Sequence, residues 1–155
     1  MKLIEKKENL MNKKTIDKFE KENFFLSNFY PCDIVYKGQK FTSTEAAFQC
    51  QKCANEEDKK VFTILEPSES KIKGRKVKLR KDWEDVKVQE MENILRAKFT
   101  QIPALGKKLV KTGNAILIEG NTWRDTFWGI YKGKGENNLG KLLMKIREEL
   151  RNENN

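Results

Sequence analysis

The chain has 155 residues, 37% of them hydrophobic and 35% charged, with 32 lysines and arginines against 23 acidic residues. That length is enough for one domain with a real core, without help from disulfides or metal, and the formal charge of +9 points either to an anionic partner or simply to solubility. Histidine is absent, which excludes Ser-His-Asp and Cys-His catalysis, a histidine metal site and a histidine general base, and leaves acid–base work to carboxylates, lysine or tyrosine.

Residues 1 to about 22 mix lysine, glutamate and asparagine with scattered Leu, Ile and Met, as in a short amphipathic helix or a loosely held arm. The opening MKLIEKKENLMNKK is too charged for a signal peptide, and every apolar run is too short to span a membrane. A soluble, cytoplasmic protein with no membrane partner is expected. FFLSNFYP (24–31) is aromatic and ends at Pro31, like a buried loop, and DIVYKGQKF (33–41) alternates around Gly38 as a hairpin does. Thr42 or Ser43 caps a helix to about Asn55, and EEDKKVFTIL (56–65) forms a second short helix before Pro67. Ser68 caps SESKIKG, which Gly74 breaks.

KIKGRKVKLRK (71–81) carries seven basic residues and no acid. Asp82 then caps the strongest helix, with Val88, Met91, Leu95, Phe99 and Ile102 recurring at spacings of three and four. Pro103 ends it and opens ALGKKLVKT, closed by Gly113. AILIEG (115–120) reads as a strand and 122–140 as a glycine-rich loop with two tryptophans. A last helix, from about Asn138 to Arg151, buries Leu139, Leu143, Ile146 and Leu150. The class is α+β, a predominantly helical single domain with a few short strands.

Cys32, Cys50 and Cys53 are an odd number, which favours free thiols in a reducing compartment. The Cys50–Cys53 pair lacks the second pair that zinc needs. GENNLGK (135–141) nearly matches a phosphate loop, but Leu142 stands where a magnesium-binding hydroxyl belongs, so a nucleoside triphosphatase is rejected. The helix start at Asn137 or Asn138 still offers N–H groups to an anion, the alternative being an asparagine-capped turn. Trp83 and Trp128 either pack or stack on a ligand. In FTSTEAAFQCQK (41–52), Glu45, Gln49 and Lys52 share one helical face. Thr42 to Glu45 spells T-x-x-E, so Glu45 reads either as a capping-box residue or as the wall of a site.

LSNFYP, KGQKFTSTEAAFQCQK, LRKDWEDVKVQEMENILRAKF and DTFWGIYKGKGENNLGKLLMKIREEL, in that order, resemble the NADAR (YbiA-like) superfamily. The likeness covers about residues 24–150, making 24–155 the enzyme domain and leaving 1–23 as an arm or short helix. It implies an N-glycosidase that cleaves the bond between a base and ribose. The implied substrates are anionic: phosphoribosylamino-pyrimidines of riboflavin synthesis, or ADP-ribosylated guanine in nucleic acid.

Breaking that bond builds an oxocarbenium-like cation, which a nearby carboxylate stabilises. The resemblance assigns that role to Glu45. Lys52 becomes a phosphate ligand, an acid or an amine nucleophile, and Asp125 the second carboxylate. Trp83 and Trp128 would stack on the base, with Asn28, Phe29 and Gln49 against base or sugar. Arg80 and the Gly135–Gly140 helix start, with Gly135, Asn138 and Gly140, would hold phosphate, and Gly129 would also bind substrate. No cofactor or metal is implied. Ala46-Ala47 and Ile130-Tyr131 depart from the family pattern and are expected to reshape the base pocket. A non-catalytic ADP-ribose or nucleotide-binding module, or a basic nucleic-acid-binding protein using 71–81, are the alternatives.

Overall fold

In a computed structural model the chain is described at Lys2 and residues 14–153. Most of the expected arm therefore lies outside the described residues, but its last stretch is tied into the fold. Strand β1 (Thr15–Ile16) pairs in parallel with β4 (Ile116–Leu117), and Ile16 and Phe19 are buried. A 3-10 turn over Lys21–Leu26 follows, then an irregular loop to Cys32. The hairpin pairs β2 (Ile34–Tyr36) antiparallel with β3 (Gln39–Phe41), and Lys37 and Gly38 both turn at positive φ (48° and 79°).

Among the described residues from 14 onward, six α-helices make up most of the rest: α1 (Thr44–Cys50), α2 (Glu56–Lys59), α3 (Pro67–Gly74), α4 (Trp83–Gln101), α5 (Pro103–Lys111) and α6 (Asn138–Glu153). Helix α1 stops five residues short of the expected Asn55. The backbone after it is taken by another segment: Ala54 donates to the Lys78 carbonyl, Arg80 to the Lys52 carbonyl, and Cys53 bridges Leu79. An extended pairing outcompetes another helical turn. The second expected helix splits into α2 and a 3-10 turn (Lys60–Thr63). Helix α3 starts one residue before Ser68, with Pro67 at its first position and Glu69 accepting the Glu66 N–H at 3.1 Å.

Helix α4 is the central beam. Met91, Ile94, Leu95 and Phe99 are buried on one side, whereas the expected core residue Val88 is exposed. Deeply buried Lys98 shares that side and donates to the Ser27 carbonyl at 3.0 Å. It thereby fixes the loop that carries Asn28 and Phe29. Burial pushes its amine down to about 8. Among the described residues no helix is long and apolar enough to cross a membrane.

Helix α6 crosses β4 at the closest approach its atoms permit. A Cβ on Gly140 would lie 2.1 Å from the Leu117 carbonyl oxygen, so only glycine fits. Gly140→Ala should cost about 1–3 kcal/mol by overpacking, measured by urea unfolding. Lys98 gives a pH signature. Its folded value near 8 lies below the ordinary 10.5, so between those values the unfolded chain binds more protons and folding gains as pH rises. Measured against Lys98→Met, wild-type stability should therefore climb across that interval.

Candidate active site

Ser43, not Thr42, caps α1: its hydroxyl accepts the Ala46 N–H at 3.1 Å. With the cap one residue later than T-x-x-E requires, the third helical position is Ala46, and Glu45 is released from the capping box. Its backbone N–H is taken by the Asn28 carbonyl at 3.0 Å, and its side chain lines a cavity of about 650 Å³. Glu45 is only 8% exposed. Gln49, one turn on, donates Nε2 to its Oε1 at 2.8 Å. Gly74 of α3 makes room for that amide, since a Cβ there would lie 1.9 Å from Gln49 Oε1.

Burial raises the Glu45 carboxyl, against lowering by the Gln49 hydrogen bond, Lys71 and Lys52. Lys52, in the turn just after α1, faces the same cavity. Burial lowers its amine, and the Glu45 charge partly restores it. A half-desolvated amine beside a reluctant carboxylate results.

Two more acids approach from the opposite wall, on the chain after β4. Asp125 Oδ1 accepts the N–H groups of Phe127 and Trp128 at 3.1 and 2.9 Å, and its own N–H donates to Asn121 Oδ1. This turn fixes Trp128, which packs edge-on against Phe48 with ring centres 5.4 Å apart. Glu119 extends from the end of β4 into the cavity. Burial, with the charges of Asp125 and Glu45, pushes its carboxyl up to about 7.

At the mouth, Lys71 of α3 lies over two rings, 5.3 Å from the centre of Trp123 and 6.0 Å from that of Phe29. Trp123 is 55% exposed, a large apolar area to leave beside a cavity. Among the described residues no cluster of three acids, cysteines or histidines is arranged for a metal ion.

Of the residues expected at the site, Glu45, Lys52, Asp125, Asn28, Phe29, Gln49 and Trp128 converge on this cavity. Asn28 also braces α1, its Oδ1 accepting from the Thr44 hydroxyl at 2.8 Å. The others lie outside it, each for a physical reason. Arg80 is bound through Nε and Nη2 to Asp82, at 2.7 and 2.9 Å. Trp83, 5% exposed, backs Phe48 from the core side.

The helix start at Asn138 offers less to an anion than its sequence suggests: the Asn138 and Leu139 N–H groups already donate to the carbonyls of Phe127 and Trp128. Gly129, Gly135 and Gly140 instead allow close backbone contact, with a Cβ on them reaching 2.1–2.2 Å from the carbonyl oxygens of Glu119, Gly129 and Leu117. The departures at Ala46-Ala47 and Ile130-Tyr131 do not line the cavity either, and both alanines are fully buried. Glu119, Lys71 and Trp123 were not singled out from the sequence. The acid ending the apolar run AILIE was the one available signal for Glu119.

Comparison with known proteins agrees with this architecture. The NADAR domain family matches residues 5–151, reaching further toward the N-terminus than the motifs alone suggest. N-glycosidase YbiA of Escherichia coli (strain K12) is 40% identical over 128 residues, covering 80% of this chain and 79% of its own length. N-glycosidase Npun_R5314 of Nostoc punctiforme is 36% identical over 133 residues, covering 81% and 85%. The riboflavin biosynthesis protein VVA0006 of Vibrio vulnificus is 38% identical over 130 residues, but this chain spans only 35% of that longer protein. The NMR structure of E. coli YbiA superposes with a TM-score of 0.81 at 37% identity, covering 92% of this chain and 88% of that one. With a family match across most of its length and relatives of similar size named as N-glycosidases, the chain belongs to the NADAR domain family and is an N-glycosidase.

Proposed function

We propose that this N-glycosidase hydrolyses the base–ribose bond of an anionic ribosyl substrate, with Glu45 as the carboxylate at C1. The candidate substrates are a phosphoribosylamino-pyrimidine of the riboflavin pathway and ADP-ribosylated guanine in nucleic acid. One observation carries the reading: a buried carboxylate and a half-buried lysine face a cavity of about 650 Å³ walled by aromatic rings. Cavities of this size suit a nucleotide-sized ligand.

As the C1–N bond lengthens, positive charge grows on the ribosyl ring, and a desolvated carboxylate stabilises it far better than water does. Glu45 also accepts the proton of the attacking water. Lys52 supplies the adjacent cation, as phosphate ligand, acid or amine nucleophile. Trp128 and Phe48 offer faces for the departing base, and Asp125 adds negative charge on the far wall. Lys71, between Phe29 and Trp123, receives the phosphate as it enters, which agrees with the net charge of +9. Three free thiols suit a reducing cytoplasm as the site of action.

Release of free base is followed from a phosphoribosylamino-pyrimidine and, separately, from an oligonucleotide carrying ADP-ribosylated guanine. Cleavage of one and not the other identifies the substrate, and tight binding of both without turnover would sink the catalytic reading. Glu45→Gln keeps the shape and the Gln49 contact but should lower kcat by about 10²–10⁴. Asp125→Asn retains an acceptor for the Phe127 and Trp128 N–H groups, so it should fold normally while losing activity. Asp125→Ala should lose thermal stability as well. Trp123→Ala should raise KM up to about tenfold, the loss of one stacking or cation–π contact, and leave kcat within about threefold.

A further inference from the structure

Glu119 has no task in the chemistry above, on which this inference rests, yet its place is among the most firmly built in the fold. Its N–H donates to Asn137 Oδ1 at 3.0 Å, and its carbonyl accepts the Ile130 N–H at 2.9 Å. Gly129 leaves a path for its side chain, since a Cβ there would lie 2.9 Å from Glu119 Cγ. The carboxyl so positioned is mostly buried, lines the cavity, and has an oxygen, Oε2, with no hydrogen-bond partner among the described residues. A buried carboxylate without donors is costly, while a carboxylic acid there holds a proton free to give. Glu45 across the cavity and Asp125 on the same wall both set negative charge against it, and Lys71 is the cation that opposes them.

We propose that Glu119 is the proton donor to the departing nitrogen, working opposite Glu45 across the cavity. As the C1–N bond breaks, its electron pair stays with the nitrogen, which takes the Glu119 proton. Water captures the ribosyl cation at C1 and yields its proton to Glu45. Glu119 ends as a carboxylate and Glu45 as an acid, and exchange with solvent restores both. The two carboxyls divide the work because their surroundings differ. Glu45 has the Gln49 amide, Lys71 and Lys52 to favour its charged form, whereas Lys71 favours that of Glu119. A value near 7 keeps a usable fraction of Glu119 protonated at neutral pH. Lys52, as donor, would instead leave the alkaline limb in place in Glu119→Gln.

The test measures base release against pH for the wild type, Glu119→Gln and Glu45→Gln, on both substrates named above. Wild-type activity should fall tenfold per pH unit above about 7. Glu119→Gln should be slower at pH 6.5 by about 10²–10³ and lose that alkaline limb, while its melting temperature stays at or above the wild-type value. A merely structural role would shift melting and leave the limb in place. An unchanged limb with a rate within about threefold of wild type overturns the assignment. If Glu45→Gln is then still inactive, the N-glycosidase reading stands and the donor is another group. If the wild type cleaves neither substrate, the substrate reading falls and infrared difference spectra decide for Glu119. A protonated-carboxyl band that titrates near 7 and vanishes in Glu119→Gln supports it, and absence of that band overturns it.

Discussion

The Asn137 side chain spans two groups on the passing chain: its Nδ2 donates to the Leu117 carbonyl at 2.9 Å and its Oδ1 accepts the Glu119 N–H at 3.0 Å. It does so from a left-handed backbone conformation (φ 54°) at the threshold of α6, one that asparagine tolerates better than most residues. In effect a side-chain amide stands in for a neighbouring strand on the free edge of β4. On the other edge, β1 provides an ordinary ladder. Much that faces the cavity from that side hangs on this tie, because the chain from Glu119 to Trp128 leaves the sheet there. The glycines beside it let three backbone segments lie closer than any side chain would allow.

Against this rigid wall stands a helix of only seven residues whose positions are all buried. So short a helix is not stable by propensity. It is held by the Ser43 cap, by the Asn28 carbonyl on the Glu45 N–H, and by α3 packed closely enough to need Gly74. The site thus brings acids from two independently fixed walls into one poorly hydrated space. Desolvation then acts as the common cause, lifting the carboxyls of Glu45 and Glu119 and lowering the amine of Lys52. Lys52 and Lys71 keep the accumulated negative charge tolerable without neutralising it through a direct ion pair.

Much of this was legible in the residues. The hairpin around Gly38, the long amphipathic α4, the Pro103 start and the α6 stripe follow from local patterns that need no partner. The Glu45, Gln49, Lys52 face was visible as helical spacing, although α1 ends before Lys52. What was not legible depends on contacts distant in sequence. Arg80 reads as a phosphate ligand until Asp82 is seen holding it, and the α6 start reads as an anion site until the 127 and 128 carbonyls are found on it. Glu119 gave little sign because burial, not sequence spacing, sets its chemistry. Trp83 and Trp128 look alike in sequence, and only packing divides them into a core prop and a cavity wall.

The thiols at the end of α1 carry a practical consequence. Cys50 and Cys53 are buried, and burial pushes the Cys50 thiol up to about 12, so neither offers a reactive thiolate while the helix is seated. They follow Glu45 by five and eight residues on the same short stretch of chain. Alkylation of these cysteines can therefore proceed only as fast as that stretch lifts from its bed. The protein thus contains its own clock for the breathing of that cavity wall, readable by mass and slowed by any ligand that fills the cavity.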